Sequence, residues 1–256
     1  MILTVNVGNT YTSIGFAGED GIAHSSMLPT YHTETAYGYA IKIKQLFDIT
    51  DIISDTVEGA IISSVVPSLT ATVCEAVKLI CKTEPLVVGA GIKTGLHIAT
   101  DDPGTVASDL VANSVAAKEE YPLPAVVVDM GTATTIMALD SSGRYIGGAI
   151  LPGAGISLEA LKEKASLLPR VDISAPKKAI SASTSECMRS GIIYGSAGAV
   201  DGVLSRFEDE LGIKIASIIL TGELAPAFAP YIKHRVIYDA DLTLKGLAAI
   251  YKKNKK

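Results

Sequence analysis

One short pattern occurs twice in this chain, and the two copies lie 123 residues apart. Residues 5–12 read VNVGNTYT, and residues 128–135 read VDMGTATT. Each copy follows an apolar run and leads into a second strand-like run that ends in a turn, which is typical of a strand, a tight turn and a returning strand. With one gap the two hairpins align, so the chain is predicted to fold into two similar halves.

The apolar pattern predicts a similar order of elements in both halves. In the first half we expect strands over residues 2–7, 11–17, 22–28, 59–65 and 84–88, and helices over 35–48 and 67–81. In the second half we expect strands over 125–129, 133–139, 144–151 and 215–220, and helices from 155, over 183–211 and over 241–251. This order predicts an α/β fold with a mixed sheet in each half, covered by helices. We therefore expect one domain over residues 1–121 and a second over 122–256, joined near 120–124.

A further helix is predicted between the two halves. Asp102 and Pro103 have the residue types preferred at a helix N-cap and first turn. The helix that they open would carry Asp109, Asn113 and Ala117 along one stripe. Asp109 would then lie one to two turns inside the helix.

The long helix of the second half carries a row of glycines. They recur every three or four residues, at Gly191, Gly195, Gly198 and Gly202. A face without side chains lets another backbone approach closely, so we expect a packed helix–helix or subunit contact there. Contact with a ligand is the alternative.

Composition excludes several classes of protein. The 256 residues are 48% hydrophobic, yet no apolar run approaches the roughly 18 residues that cross a bilayer. No basic and apolar leader precedes the first strand, so we expect a cytoplasmic protein without membrane contact. A net charge of -5 lacks the basic surface of a nucleic-acid binder.

The cysteines and histidines predict no metal site. Cys74, Cys81 and Cys187 form no CxxC pair, and the four histidines are scattered without ligand spacing. We expect the cysteines to be buried small apolar residues rather than disulfide partners.

The two repeated turns suit a nucleotide. Turns rich in glycine present backbone N–H groups to phosphate oxygens, and a carboxylate at the strand end can hold a cation. The second turn has Asp129, Gly131 and Thr132 in these places. The first turn has Asn6 where the second has Asp129, so it adds no negative charge and would hold magnesium less firmly. The alternative is that Asn6 and Asp129 only cap the ends of their strands.

Several short motifs are spread along the chain, at residues 7–10, 129–135, 147–153, 168–169, 188–191, 221–222 and 244–247. Together these motifs resemble those of the type III pantothenate kinases. They run along nearly the whole chain without large insertions. The family belongs to the superfamily of acetate kinase, sugar kinases, Hsp70 and actin, whose members have two duplicated ribonuclease-H-like domains.

The resemblance implies an enzyme that transfers the γ-phosphoryl group of ATP to pantothenate. The product would be 4'-phosphopantothenate, in the first step of coenzyme A synthesis. ATP would bind in a cleft between the two domains with Mg²⁺, and a monovalent cation, K⁺ or NH₄⁺, would be required. The family also implies a homodimer whose second domains pack together and complete the pantothenate site.

Roles of individual residues follow from the resemblance by position. Asp109 would be the general base, Asp129 would bind the monovalent cation, and Thr132 would contact ATP. The other ATP-binding residues would be Asn6, Val7, Gly8, Asn9, Thr10, Tyr11, Thr12 and Ser13. The substrate-binding residues would be Ala107, Ser108, Asp109, Leu110 and Thr184.

The chain departs from the family pattern at its site. Asn6 replaces an acid, and the motif Gly-Ala-Asp-Arg reads Ala107-Ser108-Asp109-Leu110, so that Leu110 replaces a guanidinium. Glu223 replaces the last glycine of Thr-Gly-Gly and would either obstruct the nucleotide base or face solvent. These departures leave two alternatives open, which are a non-catalytic or regulatory ATP-binding protein and a kinase for a different small alcohol.

Overall fold

The computed structural model describes residues 1–255, and these divide into two compact units. Unit 1 comprises residues 1–96, 101–119 and the chain from Asp241 onward. Unit 2 comprises residues 97–100 and 120–240. Each unit contains one five-stranded sheet of mixed direction, as predicted for the α/β fold.

Unit 1 begins with three antiparallel strands. They are β1 (Ile2–Val7), β2 (Tyr11–Ala17) and β3 (Ile22–Pro29), and they are followed by β4 (Gly59–Ser64) and β5 (Leu86–Val87). The helices are α1 (Ala36–Thr50), α2 (Pro67–Cys81) and α3 (Ser108–Glu120). The strands lie in the order β3-β2-β1-β4-β5, with β4 parallel to both of its neighbours.

Unit 2 repeats this arrangement. Its strands are β6 (Ala125–Met130), β7 (Ala133–Leu139), β8 (Tyr145–Pro152), β9 (Ser217–Thr221) and β10 (Ile237–Tyr238). Its helices are α4 (Ala154–Lys164), α5 (Thr184–Leu211) and α6 (Ala225–Phe228). The order β8-β7-β6-β9-β10 matches that of unit 1, so the predicted duplication is confirmed.

The two central strands, β1 and β6, are buried on both faces. On one face of β1, Leu3, Val5 and Val7 pack in a core with side chains of α1 and α2. Both strands have the same order of exposure, in which only the fifth residue is partly exposed. That residue is Asn6 in β1 and Asp129 in β6, so the repeat extends to the two polar positions.

A last helix, α7 (Leu242–Asn254), packs on the sheet of unit 1. Thr243 Oγ1 donates to Asn113 Oδ1 at 2.7 Å, and Gly246 lies against the backbone of Ala112 in α3. The division expected from sequence, 1–121 and 122–256, assigns this helix to the second half. Its apolar face instead completes the first unit, which is therefore discontinuous in the chain.

The start of α3 differs from the prediction. Asp102 accepts the N–H of Gly104 at 3.2 Å and closes only one 3-10 turn. Val106 is extended, with φ -69° and ψ 121°, and α3 begins at Ser108. Asp109 therefore lies in the first turn, and the prediction that it lies deeper in a helix is wrong.

The cysteines are free, and one is not buried as expected. Cys81 is buried and Cys74 partly buried, but Cys187 is exposed on α5. Within residues 1–255 there is no group of three His, Cys, Asp or Glu side chains placed to hold a metal ion. Over the same residues we find no helix with the length and apolar character to span a membrane.

Replacing Gly246 by Ala tests the packing of α7. An added Cβ would lie 1.9 Å from the carbonyl oxygen of Ala112, so α7 would have to move away from α3. We expect a loss of about 3 kcal/mol of stability, which corresponds to a fall in Tm of roughly 5–10 °C. Thermal unfolding measures it. Gly155→Ala is the control, because nothing lies within 4 Å of a Cβ there and its Tm should not fall.

Candidate active site

The turn between β1 and β2 is closed by Gly8. Its N–H donates to the carbonyl oxygen of Tyr11 at 2.9 Å, and a Cβ on Gly8 would lie 2.8 Å from that oxygen. Only glycine fits this approach. Asn9 and Thr10 lie at the exposed tip of the turn.

The carbonyl groups of this turn are held by residues that follow β3. Thr30 donates through Oγ1 to Gly8 O and through its N–H to Thr10 O, both at 2.8 Å. His32 Nε2 lies 3.1 Å from Asn9 O. These contacts fix the orientation of the peptide groups that are expected to face phosphates. Sequence reasoning missed Thr30 and His32, although the alignment of β3 with β2 places the residues after β3 beside this turn.

Asn6 lies between two hydroxyl residues of the neighbouring strands. It is in register with Ser13 of β2 and Ser63 of β4, so the three side chains share a face of the sheet. Its Oδ1 is buried, and no described residue donates a hydrogen bond to it. An unpaired buried acceptor costs roughly 1–3 kcal/mol, so the position suits a donor that arrives with a ligand, such as a water bound to magnesium.

The first turn of α3 is bound to the end of β4. The hydroxyls of Ser108 and Ser63 lie 2.8 Å apart, and the N–H of Ser64 donates to Ser108 Oγ at 3.2 Å. Since Ser63 is in register with Asn6, the structure brings the start of α3 and the end of β1 to the same end of the sheet of unit 1.

Asp109 follows directly and is partly buried. The N–H of Leu110 donates to Asp109 Oδ1 at 2.8 Å. Burial nevertheless raises the pKa of the Asp109 carboxyl above its ordinary value. A carboxylate that is disfavoured by burial accepts a proton more readily, as a general base requires. The neighbours Ala107 and Leu110 are partly exposed beside it.

The corresponding turn in unit 2 is one residue shorter. Gly131 N–H donates to Ala133 O at 3.0 Å, and Thr132 is exposed at the tip. Gly153, which follows β8 as Thr30 follows β3, lies against this turn. A Cβ on Gly153 would lie 2.2 Å from Thr132 O, so backbone contact here replaces the side-chain contacts of unit 1.

Asp129 has the same kind of surroundings as Asn6. It is in register with Thr135 of β7 and Thr221 of β9, so two hydroxyl residues lie beside it on one face. Thr135 Oγ1 is buried and has no hydrogen-bond partner among residues 1–255. These groups provide one carboxylate and two hydroxyl side chains at the carboxyl end of the central strand.

Glu223 adds a second carboxylate to this end of unit 2. Gly222 turns the chain after β9 with φ +94°, and Leu224 N–H donates to Met130 O at 3.0 Å. A Cβ on Gly131 would lie 3.1 Å from Glu223 Oε2 and 3.7 Å from Asp129 Oδ1. Burial raises the pKa of Glu223. The side chain thus faces the turn and Asp129 rather than open solvent.

Thr184 lies elsewhere in unit 2, as the exposed first residue of α5. The preceding segment is held to α5 by Arg189, which donates to Asp172 and Glu186. Arg189 already binds two carboxylates. Its guanidinium therefore does not take the place of the arginine that Leu110 replaces.

Comparison with known proteins identifies the family. The model of the type III pantothenate kinase family matches residues 2–206. A type III pantothenate kinase from Halalkalibacterium halodurans is 41% identical over 254 residues, which is 99% of this chain and 100% of the relative. One from Citrifermentans bemidjiense is 41% identical over 255 residues and covers 100% of both chains. This chain belongs to the type III pantothenate kinase family.

The fold of this chain is shared with solved structures of other proteins. Component A of (R)-2-hydroxyglutaryl-CoA dehydratase from Acidaminococcus fermentans superposes with a TM-score of 0.59 over 100% of this chain and 99% of that one. Their sequences are 14% identical, so this likeness shows the fold alone. The likeness confirms the α/β fold with two mixed sheets that was predicted for this chain.

A type III pantothenate kinase is a phosphotransferase that uses ATP and a divalent metal. The residues present fit both. The tight turns after β1 and β6 bring backbone peptide groups to these strand ends, as phosphate binding requires. In unit 1, Asn6 Oδ1 is a buried acceptor without a partner among residues 1–255, which suits a water bound to magnesium.

Replacing Glu223 by Gln tests whether the ionised Glu223 side chain lowers the stability of the fold. Its pKa is raised in the folded protein, so the ionised side chain lowers stability as pH rises above the ordinary value of 4.5. We expect Glu223→Gln to raise Tm by a few °C near neutral pH, and the gain to vanish near pH 4.5. Thermal unfolding at both pH values measures this. Glu19→Gln, in an exposed turn, should show no such difference, and an equal Tm for Glu223→Gln and wild type at neutral pH would contradict the prediction.

Proposed function

We propose that this chain phosphorylates the primary hydroxyl of pantothenate with ATP, giving 4'-phosphopantothenate at the start of coenzyme A synthesis. The observation that carries this is 41% identity, over essentially the full length of both chains, to relatives named type III pantothenate kinase. The reaction would take place in the cytoplasm, where ATP is available.

The proposed chemistry depends on positioning more than on covalent catalysis. Phosphoryl transfer has a loose transition state, and bound ATP with its divalent metal supplies the transferred group and neutralises its charge. Residues 6–13 and Thr132 would orient the phosphates through turn N–H groups and hydroxyls. Asp109 would accept the proton of the pantothenate hydroxyl at its carboxylate as that oxygen bonds to the γ-phosphorus, while the bond from the γ-phosphorus to the bridging oxygen breaks and ADP leaves.

Asp129 is proposed to bind a monovalent cation, K⁺ or NH₄⁺. Its support is the carboxylate at the end of β6 with Thr135 and Thr221 beside it. Glu223 would increase the negative charge at this position and so strengthen cation binding. Ala107, Leu110 and Thr184 are proposed to line the pantothenate site. Leu110 carries no charge, so recognition of the pantothenate carboxylate would depend on other groups.

We further propose that unit 2 forms a homodimer. Gly191, Gly195, Gly198 and Gly202 are all exposed on α5, and nothing lies within 4 Å of a Cβ built on any of them. Their spacing of four, three and four residues keeps them on one face, which suits a closely approaching helix. Large apolar side chains of the same unit are also exposed, including Ile150 (74%) and Leu167 (95%).

Leu110 favours a second candidate function, which is phosphorylation of a different small alcohol. Exchange of a guanidinium for an aliphatic side chain removes a site for an anionic group. An assay that couples ADP release to NADH oxidation, with pantothenate or a panel of uncharged alcohols, separates the two. ATP binding without turnover on any acceptor would instead support a regulatory protein.

Replacing Asp109 by Asn tests the proposed base. We expect kcat with pantothenate to fall by about 10²-fold or more while ATP still binds, because the amide cannot take a proton. Calorimetric ATP binding and ADP release measure the two effects. Removing a carboxyl with a raised pKa should also raise Tm at neutral pH. Asp101→Asn, in the preceding exposed loop, serves as control, and retained turnover in Asp109→Asn would overturn the role.

Replacing Gly195 by Arg tests the dimer. The side chain has open space in the single chain, but in a helix–helix interface it would bury an unpaired charge. We expect the dissociation constant to rise at least about tenfold, as measured by sedimentation equilibrium. Gly89→Arg, at another exposed glycine with nothing within 4 Å of a Cβ, should leave it unchanged. A Gly195→Arg protein that dimerises like wild type would exclude this face.

A further inference from the structure

We infer that Ser108 is a positioning residue, whose hydroxyl clamps the start of α3 to the end of β4 and thereby holds Asp109 in place. This rests on the proposed function, in which Asp109 is the base. It differs from the role that the family resemblance implies for Ser108, which is contact with pantothenate.

The contacts of Ser108 all lead to β4. Its Oγ lies 2.8 Å from Ser63 Oγ, accepts the N–H of Ser64 at 3.2 Å and donates to Ser64 O at 3.3 Å. A hydroxyl has one proton and two lone pairs, so these contacts use its whole capacity. Little capacity remains for a bound substrate.

Ser108 does not cap its own helix. The preceding residue, Ala107, has no side-chain acceptor either, and the N–H of Leu110 is accepted by Asp109 Oδ1. The candidate base thus takes part in capping the helix. The orientation of its carboxylate depends on where the first turn of α3 lies, and the Ser108 contacts set that position.

The β4 residues that the Ser108 hydroxyl contacts are themselves held in place. Ser63 is fully buried in β4. Ser64 Oγ accepts hydrogen bonds from Val66 N–H at 3.2 Å and from Thr70 Oγ1 at 3.0 Å, which bind it to the first turn of α2. Loss of the Ser108 hydroxyl should therefore move α3 and not β4.

The clamp also sets Asp109 relative to the phosphate turn. Ser63 and Ser64 are in register with Asn6 and Val7, the residues that lead into the turn at Gly8. A displacement of about 1 Å of a reacting group can reduce a rate by about 10²-fold. A loosened clamp should lower kcat and leave ATP binding intact, since the turn contacts do not involve α3.

The test compares three variants in the assay with ATP and pantothenate. Ser108→Ala removes the hydroxyl, and Ser108→Thr retains it. Ser114→Ala is the matched control, because Ser114 is a fully buried serine of the same helix whose hydroxyl has no partner among residues 1–255. We expect Ser108→Ala to lose about tenfold or more in kcat with unchanged KM for both substrates, Ser108→Thr to recover most of it, and Ser114→Ala to match wild type.

Three results would overturn the inference. One is equal kcat in Ser108→Ala and Ser114→Ala, and another is no recovery in Ser108→Thr. The third is a higher KM for pantothenate with unchanged kcat in Ser108→Ala, which would show direct substrate contact.

If Ser108→Ala fails to fold, Ser63→Ala removes the partner hydroxyl instead, and an unchanged kcat in that variant would be equally decisive. Wild type that is inactive on pantothenate would refute the proposed function itself, and the inference with it.

Discussion

The polar groups at the ends of β1 and β6 depend on one feature of the fold. In each unit the central strand pairs in parallel with a strand that comes later in the chain, after a helix. β1 pairs with β4 and β6 with β9, so each central strand is covered by neighbours on both sides and by packing on both faces. Away from the carboxyl end a polar side chain must be satisfied within the fold, as Thr4 is by donating to Gly15 O, whereas at the carboxyl end the cover is less complete. Asn6 and Asp129 occupy that place, and hydroxyl residues of both neighbouring strands accompany each of them.

The two copies of this arrangement differ in the charge of the central residue and in the contacts that hold the adjacent turn. In unit 1 the central residue is a neutral amide, and Thr30 holds the adjacent turn by hydrogen bonds. In unit 2 the central residue is Asp129, Glu223 adds a second carboxylate, and the backbone at Gly153 supports the turn directly. One fold thus supplies a neutral hydrogen-bonding arrangement in one copy and a negatively charged arrangement in the other.

The sequence predicted the repeated elements because they depend on local pattern. The strands from β1 to β4 and the helix α2 agree with prediction within one residue, since apolar runs and turn residues define them. The start of α3 was not predicted, because the extended residue Val106 interrupts what reads as a continuous helix. The packing of α7 and the direction of Glu223 depend on contacts between residues far apart in the chain, which no local pattern records.

Several polar groups near these strand ends lower the stability of the fold. Asp109 and Glu223 are carboxyls whose pKa is raised by burial, and Asn6 Oδ1 and Thr135 Oγ1 are buried without a partner among residues 1–255. Each lowers the stability of the fold, and none is required to close a sheet. Structural polar groups are normally satisfied within the fold, whereas functional sites retain such groups for a ligand. Asn6 and Asp129 occupy equivalent positions of the two copies, and this equivalence supports our proposal that ligand binding, and not packing, accounts for the polar residues at the ends of β1 and β6.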